Sequence, residues 1–111
     1  MIARIWHTEV APARADEYER FAREVSLPMF RQQPGFGGVL MLRDNSRCQV
    51  ITLWASHDAI AALDGSSTYR ETVQAILAQG FLRGEQKVEL CDAHLIALGA
   101  DVPLAEAVRP S

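Results

Sequence analysis

Apolar and polar residues alternate along this chain with two different periods. Residues 2–10 (IARIWHTEV) are rich in β-branched and aromatic side chains and end at Ala11-Pro12, which predicts a strand. From 13 to 32 the apolar positions Tyr18, Phe21, Ala22, Val25, Met29 and Phe30 fall at helical spacing. Asp16, Glu17, Glu19, Arg20, Arg23 and Glu24 form the polar arc of that helix. Pro28 has no N–H for the carbonyl of Glu24 and predicts a kink, and Pro34-Gly35 predicts the stop. A strand over 36–43, a turn at Asp44-Asn45-Ser46 and a returning strand over 48–55 read as a hairpin. Gly37-Gly38 inside that first hairpin strand predict a bulge or a close backbone approach. Ser56 is placed to cap a short helix over 57–64 that ends at Gly65. Thr68 and Glu71 have capping-box spacing, and the helix they open runs to about residue 79, turning Tyr69, Val73, Ile76 and Leu77 inward. After the Gly80–Gly84 loop, 86–97 (QKVELCDAHLIA) reads as the last strand.

The order β-α-β-β-α-β with right-handed crossovers predicts an α+β ferredoxin-like sandwich. Its four-stranded antiparallel sheet has the order 4-1-3-2, with both helices on one face. The middle strands are apolar on both parities. Val50 and Trp54 oppose Ile51 and Leu53, and Val39 and Met41 oppose Leu40 and Leu42. A sheet with one face in water alternates apolar and polar residues, so a second copy of the same sheet is expected to cover the other face. The domain spans 1–98. The weakly patterned tail, 99–111, is expected to be loose or to lie across a partner subunit.

Composition narrows the function classes. The chain has 111 residues, 49% hydrophobic and 23% charged, which suits one globular domain. Its net charge is −3 and its basic residues are scattered among acidic ones, which speaks against nucleic acid or an anionic membrane as partner. No window approaches the ~18 apolar residues of a membrane span, and the N-terminus lacks a long apolar run, so the expected location is the cytoplasm. Cys48 and Cys91 lack CxxC or CxxH spacing and read as small buried strand residues. Strand one separates them by about 9–10 Å, beyond the ~7 Å Cα limit of a disulfide.

Four short motifs in order carry a family resemblance over residues 2–97. They are Ile2-Ala3-Arg4-Ile5-Trp6, Pro34-Gly35-Phe36, Leu53-Trp54-Ala55-Ser56-His57-Asp58-Ala59, and Ser67-x-Tyr69. Together they resemble the antibiotic biosynthesis monooxygenase domains of the dimeric α+β barrel superfamily. The resemblance implies a homodimer with its sheets face to face and a pocket in each subunit between sheet and helices. It also implies one of several activities, among them cofactor-independent oxidation of anthrones or quinols by O2, and haem degradation. The haem-degrading members use a first-strand asparagine with a helical tryptophan and histidine. Here those positions hold Ile5, Trp6 or His7, and fall near Leu63 and Val73, which argues against haem. The anthrone-oxidising members place an asparagine four residues before the strand-three tryptophan and a tyrosine six after it. Here the tryptophan is kept as Trp54, while the flanking positions are Val50 and Ile60.

The expected chemistry is cofactor-independent monooxygenation of a small planar aromatic or quinol-like molecule. The alternative is a non-catalytic dimeric ligand-binding or accessory protein. Trp54, at a strand–helix corner, either stacks on a substrate and offers its N–H or is a large core residue. His7 is the histidine chosen as base. Trp6, Tyr69, Thr52 and Phe21 are the expected substrate contacts. A buried Arg4 on the face of Trp6 would need a carboxylate partner. His7, His57 and His94 have no metal-ligand spacing, and neither metal nor organic cofactor is expected.

Overall fold

A computed structural model describes residues 1–99; the tail, for which a loose or partner-crossing path was expected, lies outside the described residues from Ala100 onward. Four strands form one antiparallel sheet in the order β2-β3-β1-β4: β1 (Ile2–Val10), β2 (Phe36–Asp44), β3 (Arg47–Trp54) and β4 (Leu82–Asp92). Helices α1 (Ala15–Phe21), α2 (Leu27–Arg31), α3 (His57–Asp64) and α4 (Ser67–Ala78) complete the ferredoxin-like α+β arrangement. The even-numbered residues of β1 and β3 point to the helices, because Ile2, Arg4, Thr8, Val10, Cys48, Val50, Thr52 and Trp54 are all buried.

Pro28 does not break the first helix. Between α1 and α2 the chain widens into a π-helical turn, Ala22–Ser26, closed by the Leu27 N–H donating to the Ala22 carbonyl. The wider turn relieves the clash between a proline ring and the carbonyl four residues back, so the helix runs through the proline. The hairpin closes through Asn45, whose positive φ of 56° suits a two-residue turn. Gly37 supplies the bulge where the pairing shifts between Phe36 and Gly38. Ser56 caps α3, its Oγ accepting from the Ala59 N–H at 3.2 Å.

Helix α4 and strand β4 differ from expectation in their bounds. The cap of α4 is Ser66, whose Oγ accepts from the Tyr69 N–H at 3.3 Å. Thr68 instead bonds Ser66 Oγ at 2.9 Å and receives the Gln33 side-chain N–H at 3.1 Å, which ties the end of α2 to the start of α4. Strand β4 starts earlier, because Gly84 adopts φ +71° in a bulge and the register shifts opposite His7 and Glu9. It also ends earlier. Asp92 pairs with Ile2, the first residue of β1, so a longer strand would have no neighbour. His94, expected on this strand, is therefore outside it and exposed. Cys48 is buried and Cys91 exposed, contrary to the expectation of two buried thiols, and both are free.

Two apolar clusters hold helices to sheet. At one end Trp54 packs with Ile2, Met29, Phe30, Val50, Ile60 and Leu63, with Phe30 and Phe36 meeting its ring edge-on. At the other end Phe81 packs with Val10, Tyr18, Phe21, Cys48 and Ile76. Gly35 joins α2 to β2 in the first cluster's corner at φ +80°, and a Cβ built there would meet the Ala59 Cβ at 2.5 Å. Gly35→Ala combines left-handed strain with overpacking and is expected to lower stability by about 2 kcal/mol or more. The shift of the urea midpoint at unchanged m-value measures it.

Candidate ligand cavity

Between the two clusters sheet and helices are incompletely packed against each other. A cavity of about 150 Å³ lies there, over the middle of β1, with Arg4 and Trp6 as its floor. The amphipathic helices close its roof with Tyr18, Ala22, Met29 and Phe30 on one side and Tyr69, Val73 and Ile76 on the other; Met41 and Val50 continue the floor. It opens beside β4, where Val88 and Leu77 are 46% and 51% exposed. A cavity of roughly this volume takes up one benzene ring.

Its polar centre is a cation. Arg4 is only 8% exposed. One guanidinium nitrogen donates to the Tyr69 hydroxyl oxygen at 2.7 Å, and the group lies 5.4 Å from the Tyr69 ring centre. Among the described residues no carboxylate reaches Arg4, so the counter-ion that its burial called for is replaced by a neutral hydroxyl and an aromatic face. Gln86 lines the cavity too, but its side-chain N–H is engaged by Thr8 Oγ1 at 2.8 Å. Tyr18 is a phenol, pushed well above its ordinary pKa chiefly by burial and further by the neighbouring Cys48 thiol, so it stays protonated at neutral pH. Burial likewise raises the Cys48 thiol.

Of the residues expected at the site, the fold brings Trp6 and Tyr69 together and leaves the others outside. Trp54 is 0% exposed, and its indole N–H donates to Thr52 Oγ1 at 2.7 Å, so neither its face nor its donor is free for a ligand. Thr52 is consumed by that bond. Its own hydroxyl points to the Arg4 carbonyl at 3.4 Å. Phe21 packs into the Phe81 cluster, edge to face at 6.3 Å. His7 has odd parity on β1 and therefore emerges on the opposite face of the sheet, with Nδ1 3.3 Å from Gln49 and Nε2 3.4 Å from Glu89, unaligned for a hydrogen bond. A side chain there cannot act as base in a cavity behind the sheet. His57 is exposed in the first turn of α3. No group of three His, Cys, Asp or Glu among the described residues is arranged to hold a metal ion.

Sequence reasoning missed Arg4 as a cavity-lining residue, although a signal existed. It is the one charged residue on the β1 parity that also carries Ile2, Trp6 and Val10. Val88 pairs with Trp6 and Gln86 reaches Thr8, so these even-numbered residues of β4 share the helix-facing parity.

No family profile matches the chain, and no curated protein sequence matches it. Solved structures do. A protein from Caulobacter crescentus CB15, provisionally assigned as an antibiotic biosynthesis monooxygenase, is 23% identical over 83% of this chain and 88% of its own, with a TM-score of 0.70. SnoaB, a cofactor-independent oxygenase from Streptomyces nogalater, is 21% identical over 86% and 94%, with a TM-score of 0.64. The monooxygenase from the gene ActVA-Orf6 of Streptomyces coelicolor, solved in complex with the ligand Nanaomycin D, is 17% identical over 89% and 92%, with a TM-score of 0.74. The chain thus shares the fold of antibiotic biosynthesis monooxygenase domain proteins. No helix among the described residues is long and apolar enough to cross a membrane.

The geometry around Trp54 makes a separable prediction. Trp54→Phe removes a buried N–H bond and part of a ring that two aromatic neighbours contact. It is expected to cost about 1–3 kcal/mol of stability while leaving the affinity of cavity ligands unchanged. Thermal melting and ligand titration on the same variant measure the two effects independently.

Proposed function

We propose that this chain is a cofactor-independent monooxygenase of a small, planar hydroxyaromatic or quinol-like compound that binds in the cavity between sheet and helices. The observation that carries this reading is the cavity itself: apolar and aromatic walls the size of one ring, with a single pair of converging polar groups, Arg4 and Tyr69. The fold shared with SnoaB, named a cofactor-independent oxygenase, and with the ActVA-Orf6 monooxygenase that holds Nanaomycin D supports it. In such a reaction the substrate reacts as an anion with O2. For a hydroquinone, one oxygen atom becomes a new ring hydroxyl, the ring emerges as the hydroxyquinone, and the other oxygen atom leaves as water. The protein's part is to hold the ring, stabilise the charge and keep water away while the anion reacts. Trp6 offers a face for stacking and Tyr69 a hydroxyl.

The second reading, a non-catalytic ligand-binding or accessory protein, is favoured by one feature. The cavity-lining residues include no carboxylate, imidazole or amine to act as base, and Val50 and Ile60 stand where the anthrone-oxidising members have asparagine and tyrosine. Oxygen uptake separates the two. Under the oxygenase reading, a panel of mono- and bicyclic hydroquinones includes at least one that drives saturable, enzyme-dependent O2 consumption. Tyr69→Phe then lowers kcat/KM about tenfold or more, as loss of a hydrogen bond to developing charge does. Ligand binding across the panel with no uptake selects the second reading.

We further propose that the protein works as a homodimer through the helix-free face of the sheet. That face presents Ile5, Leu40, Leu42, Ile51 and Leu53, of which Leu40 and Leu42 are about half exposed. A contiguous apolar sheet face of this kind is stable in water only when covered. Sedimentation at micromolar concentration is expected to give twice the chain mass of 12.3 kDa, and Ile51→Asp to give the monomer.

A further inference from the structure

We infer that the cavity selects its substrate as a ready-made anion: Arg4 and the Tyr69 hydroxyl hold the ionised oxygen of a planar hydroxyaromatic, and the proton is lost in water before binding. The inference deepens the oxygenase reading by naming the ionisation state of the substrate, and it rests on that reading for the identity of the ring.

Three observations meet here. First, Arg4 is buried without a carboxylate among the described residues, and the one hydrogen bond its guanidinium makes to them is to the Tyr69 oxygen. A guanidinium carries five N–H donors, so most of its hydrogen-bonding capacity is open. The Tyr69 oxygen accepts from Arg4, which leaves the phenolic hydrogen to donate outward. Two donors thus converge, and an anionic oxygen between them completes a charge that the fold leaves uncompensated. Apolar walls strengthen that pairing.

Second, nothing in the cavity takes a proton. Arg4 is the only charged side chain among the lining residues. The remaining polar ones are Tyr18, held protonated by burial, Tyr69, Gln86, Thr72 and Ser26. His7, the histidine of β1, is on the other side of the sheet. A site with an anion receptor and no base has no internal route from the neutral phenol to the phenolate.

Third, the space is about 150 Å³. With room for one ring, a charge that reaches Arg4 is carried on that ring or directly beside it.

One consequence is a pH dependence of kcat/KM that follows the substrate's own ionisation. The direct test uses the full chain and 4-nitrophenol, a single ring that ionises near neutral pH, turns yellow as it does so and is not an oxygenase substrate. With protein in excess, the visible absorbance is followed as pH is varied. Bound nitrophenol is expected to ionise about one pH unit or more below free nitrophenol, the size of a tenfold preference for the charged form. In Arg4→Gln the midpoint is expected to return to the free value or above it, since an apolar cavity alone favours the neutral phenol. Arg4→Lys keeps the charge without the planar fork, and a partial shift is expected. A midpoint in the wild-type protein at or above that of free nitrophenol overturns the inference without any variant, and so does a downward shift that survives in Arg4→Gln. Tryptophan quenching by 4-nitrobenzoate distinguishes a carboxylate from a phenolate. Benzoate binding as tight as that of nitrophenolate overturns the hydroxyaromatic assignment. The downward shift without oxygen uptake refutes the oxygenase reading alone, and uptake without the shift refutes this inference alone.

Discussion

A guanidinium buried on the helix-facing side of β1 is the constraint around which the cavity is arranged. Arg4 sits on the face of β1 that meets the helices, between Ile2 and Trp6 and opposite Thr52 of β3 and Leu90 of β4. An apolar residue at that position would let the helical layer close onto the sheet along its whole length. A charged one does not, because a buried ion needs polar company and space for it. The structure meets this need with Tyr69, delivered by the first turn of α4, and leaves a gap beside the pair. The cavity is thus the room that a buried charge keeps open.

The two apolar clusters follow from the same arrangement. Packing is complete at the two ends of the sheet, around Trp54 and around Phe81, and incomplete between them; Trp6 borders both clusters and the cavity. Aromatic contacts at each end hold the helices over the floor of the cavity. The anchoring of Tyr69 extends this order: Ser66 caps α4 and Thr68 receives Gln33 from the end of α2, which fixes the turn that carries the hydroxyl. Positioning and stability are here the same set of bonds.

The sheet's two faces differ in kind. The helix face carries the cavity, while the other carries Ile5, Ile51 and Leu53 beside His7, Gln49 and Glu89. Period-two geometry imposes this split, since adjacent residues of one strand always point to opposite sides. It also explains why His7 and Trp6, neighbours in sequence and both chemically attractive, cannot share a site.

Much of the architecture was legible in the sequence because it depends on local rules. Strand and helix periods, the Asn45 turn, the Ser56 cap and the Pro34-Gly35 stop are each decided within a few residues, and the strand order follows from the handedness of the connections. That Trp6 and Tyr69 line the cavity was legible for the same reason, since each sits on the inward parity or the inward face of its own element. What only the tertiary structure decided is how separate elements compensate one another. Trp54 was ambiguous in sequence because whether its N–H is free depends on Thr52, two residues back on the same face, turning its hydroxyl to meet it. The partner of Arg4 lies 65 positions away, and no local rule couples a buried cation to a phenol at that distance. Gln86 and Val88 come to the cavity only through the pairing of β4 with β1, which sets Val88 opposite Trp6. Local sequence sets the direction in which a side chain points; which group waits there is set by packing, and the cavity exists only at that level.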